Sequence, residues 1–392
     1  MRILTVGSMY PPHHLGGYEL MWESWVRHAR DAGHSVSVLA SDFEAALPDG
    51  SVTAERVARE LRWYWRDHRF PRMGPAQRLR LERHNLGVLA RELDRFEPDV
   101  VSWWAMGGMS MSLLEAVRRS PTPAVGVIVD DWLAYGPQVD GWQRLAGRPI
   151  LRGLGERLGI PTRLDLDRAA RWVFVSDTTR GRARAAGRDV TGHVAHGGID
   201  PSLFPAAEDR EWSWRLLYVG RIDRRKGVAT AIRATASLAQ ARLTVVGGGD
   251  DAHRHELEAL IRDLGVADRV SFESHPRDEL ARVYADADVA LFPVLWEEPW
   301  GLVPLEAMSV GRPVIATGTG GSGEYLRDGE NCLIFAPRED PEALARAVEQ
   351  LARDASLRKR LREGGFETAA AHTEEAFNSA VLDEHSAAAA AR

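Results

Sequence analysis

Short apolar runs alternate with longer amphipathic stretches from one end of the chain to the other. In the first half the runs fall at residues 2–6, 35–39, 100–103, 125–129 and 172–175. In the second half they fall at 216–219, 243–246, 270–273, 289–292, 314–316 and 332–335. Runs of this length bounded by turn residues predict fully buried strands, and the segments between them predict helices. Such alternation predicts an α/β fold with two doubly wound parallel sheets, helices on both faces and ligands at the carboxyl ends of the strands. Residues 200–214, interrupted by Pro201 and Pro205, form the expected linker. The expected division is 1–203 for the first domain and 204–372 for the second, with 373–392 as a last helix returning to the first.

Composition agrees with two ordinary domains: 392 residues with 44% hydrophobic content can bury two cores. The single cysteine, Cys332, excludes an internal disulfide, and the chain holds no Cys/His cluster of zinc-site spacing. Together with an initial apolar stretch that is too short for a signal peptide and runs into Pro11-Pro12, this predicts a cytoplasmic protein. No run approaches the ~18 apolar residues of a membrane span. Residues 1–200 carry a net charge of +3 and the remainder −9, a balance that argues against nucleic acid as a partner. One stretch is strongly basic, from Arg62 to Arg83 and including Arg66, Arg69, Arg72, Arg78 and Arg80. It leads into an amphipathic helix expected over 76–96, with Leu79, Leu86, Leu89 and Leu93 near one face. That helix either touches a membrane surface peripherally or packs its leucines into the first domain; the second reading is the simpler.

Candidate chemistry concentrates between Trp296 and Met308, where Glu298 and Glu306 flank a glycine turn, Gly301, that opens a helix. Unsatisfied amides and the positive end of a helix dipole seat a phosphate there, and the carboxylates on either side accept hydrogen bonds from hydroxyl groups. Phosphate flanked by polyols describes a nucleotide sugar, although two glutamates in a loop and a helix are also ordinary solvated residues. A second basic element strengthens the first reading. Arg221 and Lys226 lie in a loop after a buried strand, and of the 50 basic residues only Lys226 and Lys359 are lysine. A compact ammonium fits against a phosphate oxygen where a guanidinium is too large, which is a reason for lysine to persist at position 226; chance is the competing explanation.

Arg221-Ile-Asp-Arg-Arg-Lys226-Gly, the glutamates eight apart in Glu298-Pro-Trp-Gly-Leu-Val-Pro-Leu-Glu306, Gly311-Arg-Pro-Val-Ile-Ala and Gly320-Gly-Ser-Gly-Glu324 resemble the family 4 (group 1) retaining glycosyltransferases of GT-B fold, in the glycogen-synthase-like superfamily. Looser similarity continues in Tyr10-Pro-Pro-His-His-Leu-Gly16-Gly17-Tyr-Glu and His196-Gly-Gly-Ile-Asp200, so the resemblance covers nearly the whole chain. It implies that Arg221 and Lys226 grip a donor diphosphate, that Glu306 holds the ribose, and that the Glu298 loop holds the transferred sugar. Backbone amides of Gly301, Leu302 and Val303 would complete the cradle, Trp300 would belong to the donor loop, and Phe272 and Glu273 would lie at the base. Gly16 and Gly17 would approach the donor from the first domain.

Two departures stand out. Where many relatives have His-Asp after the strand at 124–129, this chain has Asp130-Asp131-Trp132, and the strand at 98–101 runs into Ser102-Trp103-Trp104 rather than toward a histidine. Asp130 therefore either serves an acceptor hydroxyl or amine or only caps the following segment. Asp131, Trp132 and His13 are the other acceptor-side candidates. Asp286-Ala-Asp288 has the Asp-x-Asp form of metal-dependent glycosyltransferases of the other major fold, but it falls at a helix-to-strand junction, and no metal is expected. Most of the thirteen tryptophans, including Trp63, Trp65, Trp103 and Trp104, read as core fillers.

The resulting expectation is a metal-independent retaining hexosyltransferase with no cofactor beyond its donor, a nucleoside-diphosphate sugar, with a UDP-sugar favoured. The acceptor would be a sugar, a lipid-linked molecule or a small natural product, in a bacterial setting suggested by the near-total use of arginine over lysine. Two alternatives share the motifs: a sugar-nucleotide epimerase of the same fold, and a non-catalytic nucleotide-sugar-binding partner.

Overall fold

Two parallel sheets account for the apolar runs. In the computed structural model, which describes residues 1–14, 16–45, 57–65, 70–146 and 149–391 (backbone alone at 149–151 and 154), the chain divides into two compact units. The first comprises Met1–His196 with Glu375–Arg392, and the second Gly197–Glu374. The second unit thus begins several residues before position 204, the boundary expected from the proline-rich segment.

The first unit holds strands β1 (Arg2–Val6), β2 (Ser35–Ser41), β3 (Val57–Leu61), β4 (Val100–Trp103), β5 (Ala124–Ile128), β6 (Arg171–Phe174) and β7 (Gly192–Val194), in the order β3-β2-β1-β4-β5-β6-β7. All pair in parallel. The five expected strands are the five central ones. The two that the apolar pattern missed are the edges: β3 reads Val-Ala-Arg-Glu-Leu and β7 only Gly-His-Val, because an edge strand has one neighbour and less surface to bury. Trp103 and Trp104 are wholly buried, as are Trp22 and Trp25 of the helix Gly17–Asp31.

The helix Pro75–Phe96 sends Leu81, Val88 and Leu89 into this unit's core and half-buries Leu79, Leu86 and Leu93. Its leucine stripe is therefore packing surface. Arg66 and Arg69 of the preceding basic stretch, and Leu15 of the first loop, lie outside the described residues. The helix Glu374–Ala390 runs from the second unit's last residue into the first unit, where Phe377, Val381 and His385 are buried, Asn378 Nδ2 donates to Ser24 Oγ at 2.9 Å, and the His385 ring lies 4.6 Å from that of Trp25. The terminal alanine run is helical to Ala390, with Ala388 buried.

The second unit holds β8 (Arg215–Val219), β9 (Arg242–Val246), β10 (Val270–Glu273), β11 (Val289–Phe292), β12 (Val314–Ala316) and β13 (Leu333–Ile334), ordered β10-β9-β8-β11-β12-β13. The order reverses beside β8, so the loops after β8 and β11 leave neighbouring strand ends, the switch point where open α/β sheets bind ligands. β13 is two residues shorter than the run at 332–335, whose end residues Cys332 and Phe335 are buried outside the ladder. Among the described residues, no helix is long and apolar enough to cross a membrane.

Candidate active site

At the end of β8 the chain turns through Gly220 and reaches Asp223, whose side chain accepts from the Arg225 amide at 2.9 Å and caps the short 3-10 turn Arg224–Lys226. Arg225 also pairs with Asp223 at 2.8 Å, and these hydrogen bonds hold the carboxyl down at about 2. The turn ends at Gly227, with φ +73° and an ideal Cβ position only 1.8 Å from the Pro293 carbonyl oxygen. Only glycine tolerates both conditions. Leu295 N donates to Arg225 O at 2.7 Å, so the loops after β8 and β11 are tied backbone to backbone.

This docking points Lys226 at Glu298. Nζ lies 2.7 Å from Glu298 Oε2, and Trp296 Nε1 donates to the same oxygen at 2.8 Å. The side chains of Lys226 and Glu298 are 16% and 12% exposed, so the pair is shielded but reachable. The Arg225 guanidinium stacks 4.6 Å from the centre of the Trp296 ring, adding a second cation to the same wall. Trp296 was not singled out by sequence reasoning; its position two residues before Glu298 was the available signal.

Glycines fix the rest of the loop. Gly320, at φ +67°, places its ideal Cβ 2.4 Å from Glu298 O, and Gly321 N donates to that oxygen at 2.6 Å. The Gly320-Gly-Ser-Gly segment therefore clamps the backbone of Glu298. Gly301, at φ +94°, has its ideal Cβ 2.9 Å from Phe292 Cζ and 3.5 Å from Glu298 Cγ, while its carbonyl accepts from Tyr325 OH at 2.6 Å. The helix Val303–Val310 follows, and among the described residues the amides of Gly301, Leu302 and Val303 have no backbone acceptor. They are partly exposed donors at a helix N-terminus, the position at which the sequence reading expects an anion.

Glu306 sits one turn into that helix and is 3% exposed. Its Oε2 accepts from Tyr284 OH at 2.8 Å and its Oε1 lies 3.3 Å from Arg277 Nη1. Neither partner was foreseen, since both come from the segment between β10 and β11. Buried Tyr325 lies within electrostatic reach of both glutamates; burial, with Glu298 and Glu306 adding to it, lifts its phenol well above the ordinary range. Arg221 differs from Lys226: its side chain is exposed and has no ion-pair partner among the described residues, and Tyr218 OH holds its carbonyl at 2.8 Å.

Other predicted residues sit differently. Trp300 is 2% exposed and packs its ring 4.9 Å from Tyr325 and 5.4 Å from His372, so it supports the loop from beneath rather than offering a stacking face. Phe272 and Glu273 point to opposite faces of the edge strand β10: Phe272 packs toward the core under Arg254, and exposed Glu273 pairs with His275 at 2.8 Å. They cannot act as one side-chain pair, which leaves the backbone as what they share. Asp288 is 4% exposed and accepts from Ser213 N and Arg215 N at 2.8 Å each, a structural clamp at the junction where Asp286-Ala-Asp288 was noted.

In the first unit, the end of β5 leads to Asp130. Its Oδ1 accepts from Trp132 N at 2.9 Å, and its Oδ2 from Tyr135 OH at 3.0 Å. It caps the helix Trp132–Val139 and also presents a carboxyl that burial raises to about 6. Asp131 is paired with Arg182 at 2.7 Å. Trp132 is wholly buried, donating from Nε1 to Tyr18 OH at 2.9 Å, so it is a core residue and not an acceptor contact. Tyr135 is 36% exposed, and Gly107 leaves space for its hydroxyl, an ideal Cβ there falling 2.1 Å from it. Sequence reasoning gave no role to Tyr18, although it lies in the Tyr10–Glu19 segment, or to Tyr135, which carried no motif. His13 is partly buried and accepts at Nδ1 from Ala45 N at 3.1 Å. Gly16 is extended, with φ −168°, and its ideal Cβ meets nothing nearer than Glu19 Oε2 at 3.8 Å; nothing within its own unit requires glycine there. Gly17 is exposed at the start of the following helix.

Comparison with known proteins gives the same picture for both units. Residues 15–203 match Glycosyltransferase Family 4 and residues 203–368 match Glycosyl transferases group 1. A lipopolysaccharide core biosynthesis glycosyltransferase, LpsE, of Rhizobium meliloti is 40% identical over 153 residues, which are 39% of this chain and 44% of that protein. The chain spans about half or less of the length of the curated relatives it matches. The sucrose-phosphate synthase of Thermosynechococcus elongatus superposes with a TM-score of 0.77 at 21% identity, covering all of both chains. HepE of Anabaena, solved with UDP and glucose, superposes with a TM-score of 0.69 at 18% identity, covering 99% of this chain and all of that one. With both profiles matched in order over nearly the whole length, on a GT-B fold, the chain belongs to the group 1 glycosyltransferases, family 4.

Proposed function

We propose that this protein transfers a sugar from a nucleoside-diphosphate sugar to a hydroxyl or amine acceptor, with retention of anomeric configuration. The observation that carries the proposal is the Lys226–Glu298 contact of 2.7 Å beside the free amides of Gly301, Leu302 and Val303. A diphosphate seated on those amides takes its remaining charge from Lys226 and from exposed Arg221. Glu298 then accepts from the hydroxyls of the transferred sugar, and Glu306, oriented by Tyr284 and Arg277, accepts from the ribose. The base lies along the backbone at Phe272 and Glu273.

Donors aimed where charge develops on the leaving diphosphate are the main source of acceleration in this chemistry. Retention requires no carboxylate nucleophile: the departing phosphate deprotonates the acceptor as it leaves. Asp130 and Tyr135 of the first unit hold the acceptor. A UDP-sugar is the favoured donor, in keeping with the UDP bound to HepE. A cytoplasmic setting and an envelope glycan, glycolipid or natural-product acceptor complete the proposal.

Calorimetry and thermal shift with UDP-, dTDP-, GDP- and ADP-sugars test it, with Lys226→Ala as control. One donor binding selectively, with binding lost in the variant, supports the reading. Binding that survives in Lys226→Ala removes this site from the proposal, and an inverted linkage by NMR removes retention.

A further inference from the structure

A further concavity in the Gly197–Glu374 unit is lined by none of Arg221, Lys226, Glu298, Gly301 or Glu306 and shares only Glu273 with the proposed donor site. It has a volume of about 570 Å³ and is walled by β8, β9 and the helix Leu280–Ala285. Arg215 and Arg242 are Cα partners in the parallel β8–β9 ladder, so their side chains emerge side by side on one face. Arg282 of the helix lines the same space.

Like charges at paired positions of adjacent strands repel unless a counter-charge meets them. Here, among the described residues, none of the three guanidiniums forms an ion pair. Arg242 Nη1 donates to the Asp268 carbonyl at 3.1 Å, and Asp286, which also lines the space, pairs with none of them among the described residues. The acids at the other end are already engaged: Glu273 and Glu279 lie 2.8 and 3.2 Å from His275, whose pKa their hydrogen bonds raise. Between the two ends the wall is Leu217, Thr244 and Val283.

We propose that this groove binds a phosphorylated small metabolite, with its phosphate between Arg215, Arg242 and Arg282 and its hydroxylated body along Thr244 toward the His275–Glu279 pair. Guanidiniums match phosphate oxygens bidentately, and an anion there relieves the repulsion between the paired arginines. The volume falls within the roughly 300–1,000 Å³ of small-molecule sites. The alternative is that the three arginines are solvated surface groups with no ligand.

Calorimetry on the full chain with inorganic phosphate and ribose 5-phosphate decides between them, using Arg215→Ser/Arg282→Ser and Lys226→Ala as separate variants and circular dichroism to confirm folding. The expected result is saturable binding of ribose 5-phosphate tighter than about 1 mM. Loss of charge-assisted hydrogen bonds should weaken it at least about tenfold in the arginine variant, with no change in Lys226→Ala. UDP binding by the arginine variant should equal wild type, which separates this site from the donor site whatever the donor proves to be. Absence of saturable binding, equal affinity in the arginine variant, or loss confined to Lys226→Ala each overturns the proposal.

Discussion

Lys226 and Glu298 are 72 residues apart in sequence and 2.7 Å apart at Nζ and Oε2, with Trp296 Nε1 on the same carboxylate oxygen. The contact joins the loop after β8 to the loop after β11. Replacing Lys226 by alanine removes a preorganised cation from the proposed diphosphate seat and should lower kcat by about 10²- to 10³-fold. Lys359→Ala should leave the rate unchanged, because that ammonium is 76% exposed and only loosely paired with Glu363 at 3.9 Å. Steady-state kinetics on the two variants checks this, and equal activities would remove Lys226 from the reaction.

Gly320→Ala tests whether the glycine segment positions Glu298. At φ +67° and with the new Cβ 2.4 Å from Glu298 O, alanine must displace the clamp. Strain of this kind costs about 1–3 kcal/mol. A lower melting temperature together with weakened donor binding is expected. Gly33→Ala, also at positive φ but with nothing near its Cβ, should lose stability without losing donor affinity.

Tyr284→Phe removes one of the two groups that orient Glu306 without adding volume. If Glu306 holds the ribose, the donor KM should rise about tenfold or more, in line with the loss of one hydrogen bond to a charged group, while kcat changes little. A fall in kcat at constant KM would show that Tyr284 acts otherwise.

Asp130, raised to about 6 by burial, should be charged above that pH and neutral below it. As an anionic acceptor contact, it should give the wild-type kcat/KM a limb that rises with pH through about 6, and Asp130→Asn should lack that limb at a lower plateau. An unchanged profile in the variant would reduce Asp130 to the helix cap it also forms.

Glu82 and Asp140 are wholly buried, and burial, with each other's charge acting on Glu82, holds both carboxyls above their ordinary range. Glu82 accepts from Tyr64 OH at 2.7 Å and from Ser112 Oγ; Asp140 accepts from Met111 N at 2.8 Å and Trp142 N at 2.7 Å. An acid raised in the folded state holds protons that the unfolded chain has released, so its stabilisation is full below the unfolded pKa and is lost as pH rises through the folded one. The melting temperature should fall as pH rises from about 5 through neutrality. Glu82→Gln should flatten that fall and melt higher than wild type at the alkaline end.

What the sequence determined is what its local pattern carries. Apolar runs bounded by turns located the central strands of both sheets, because a strand buried on both faces must be apolar along its length. The glutamates eight apart, the turn at Gly301 and the retained Lys226 marked the proposed donor loops for the same reason: each lies within one short segment. Tertiary structure decided everything that joins segments. It set Trp296 and Lys226 on one oxygen of Glu298, brought Tyr284 and Arg277 to Glu306, drew Trp300 and Trp132 into packing, and left Arg215, Arg242 and Arg282 together over one sheet face. The edge strands β3 and β7 also escaped the sequence, since partial burial leaves little apolar pattern to read. A side chain's role depends on which groups it meets, and those groups come from strand ends that only the sheet order makes adjacent.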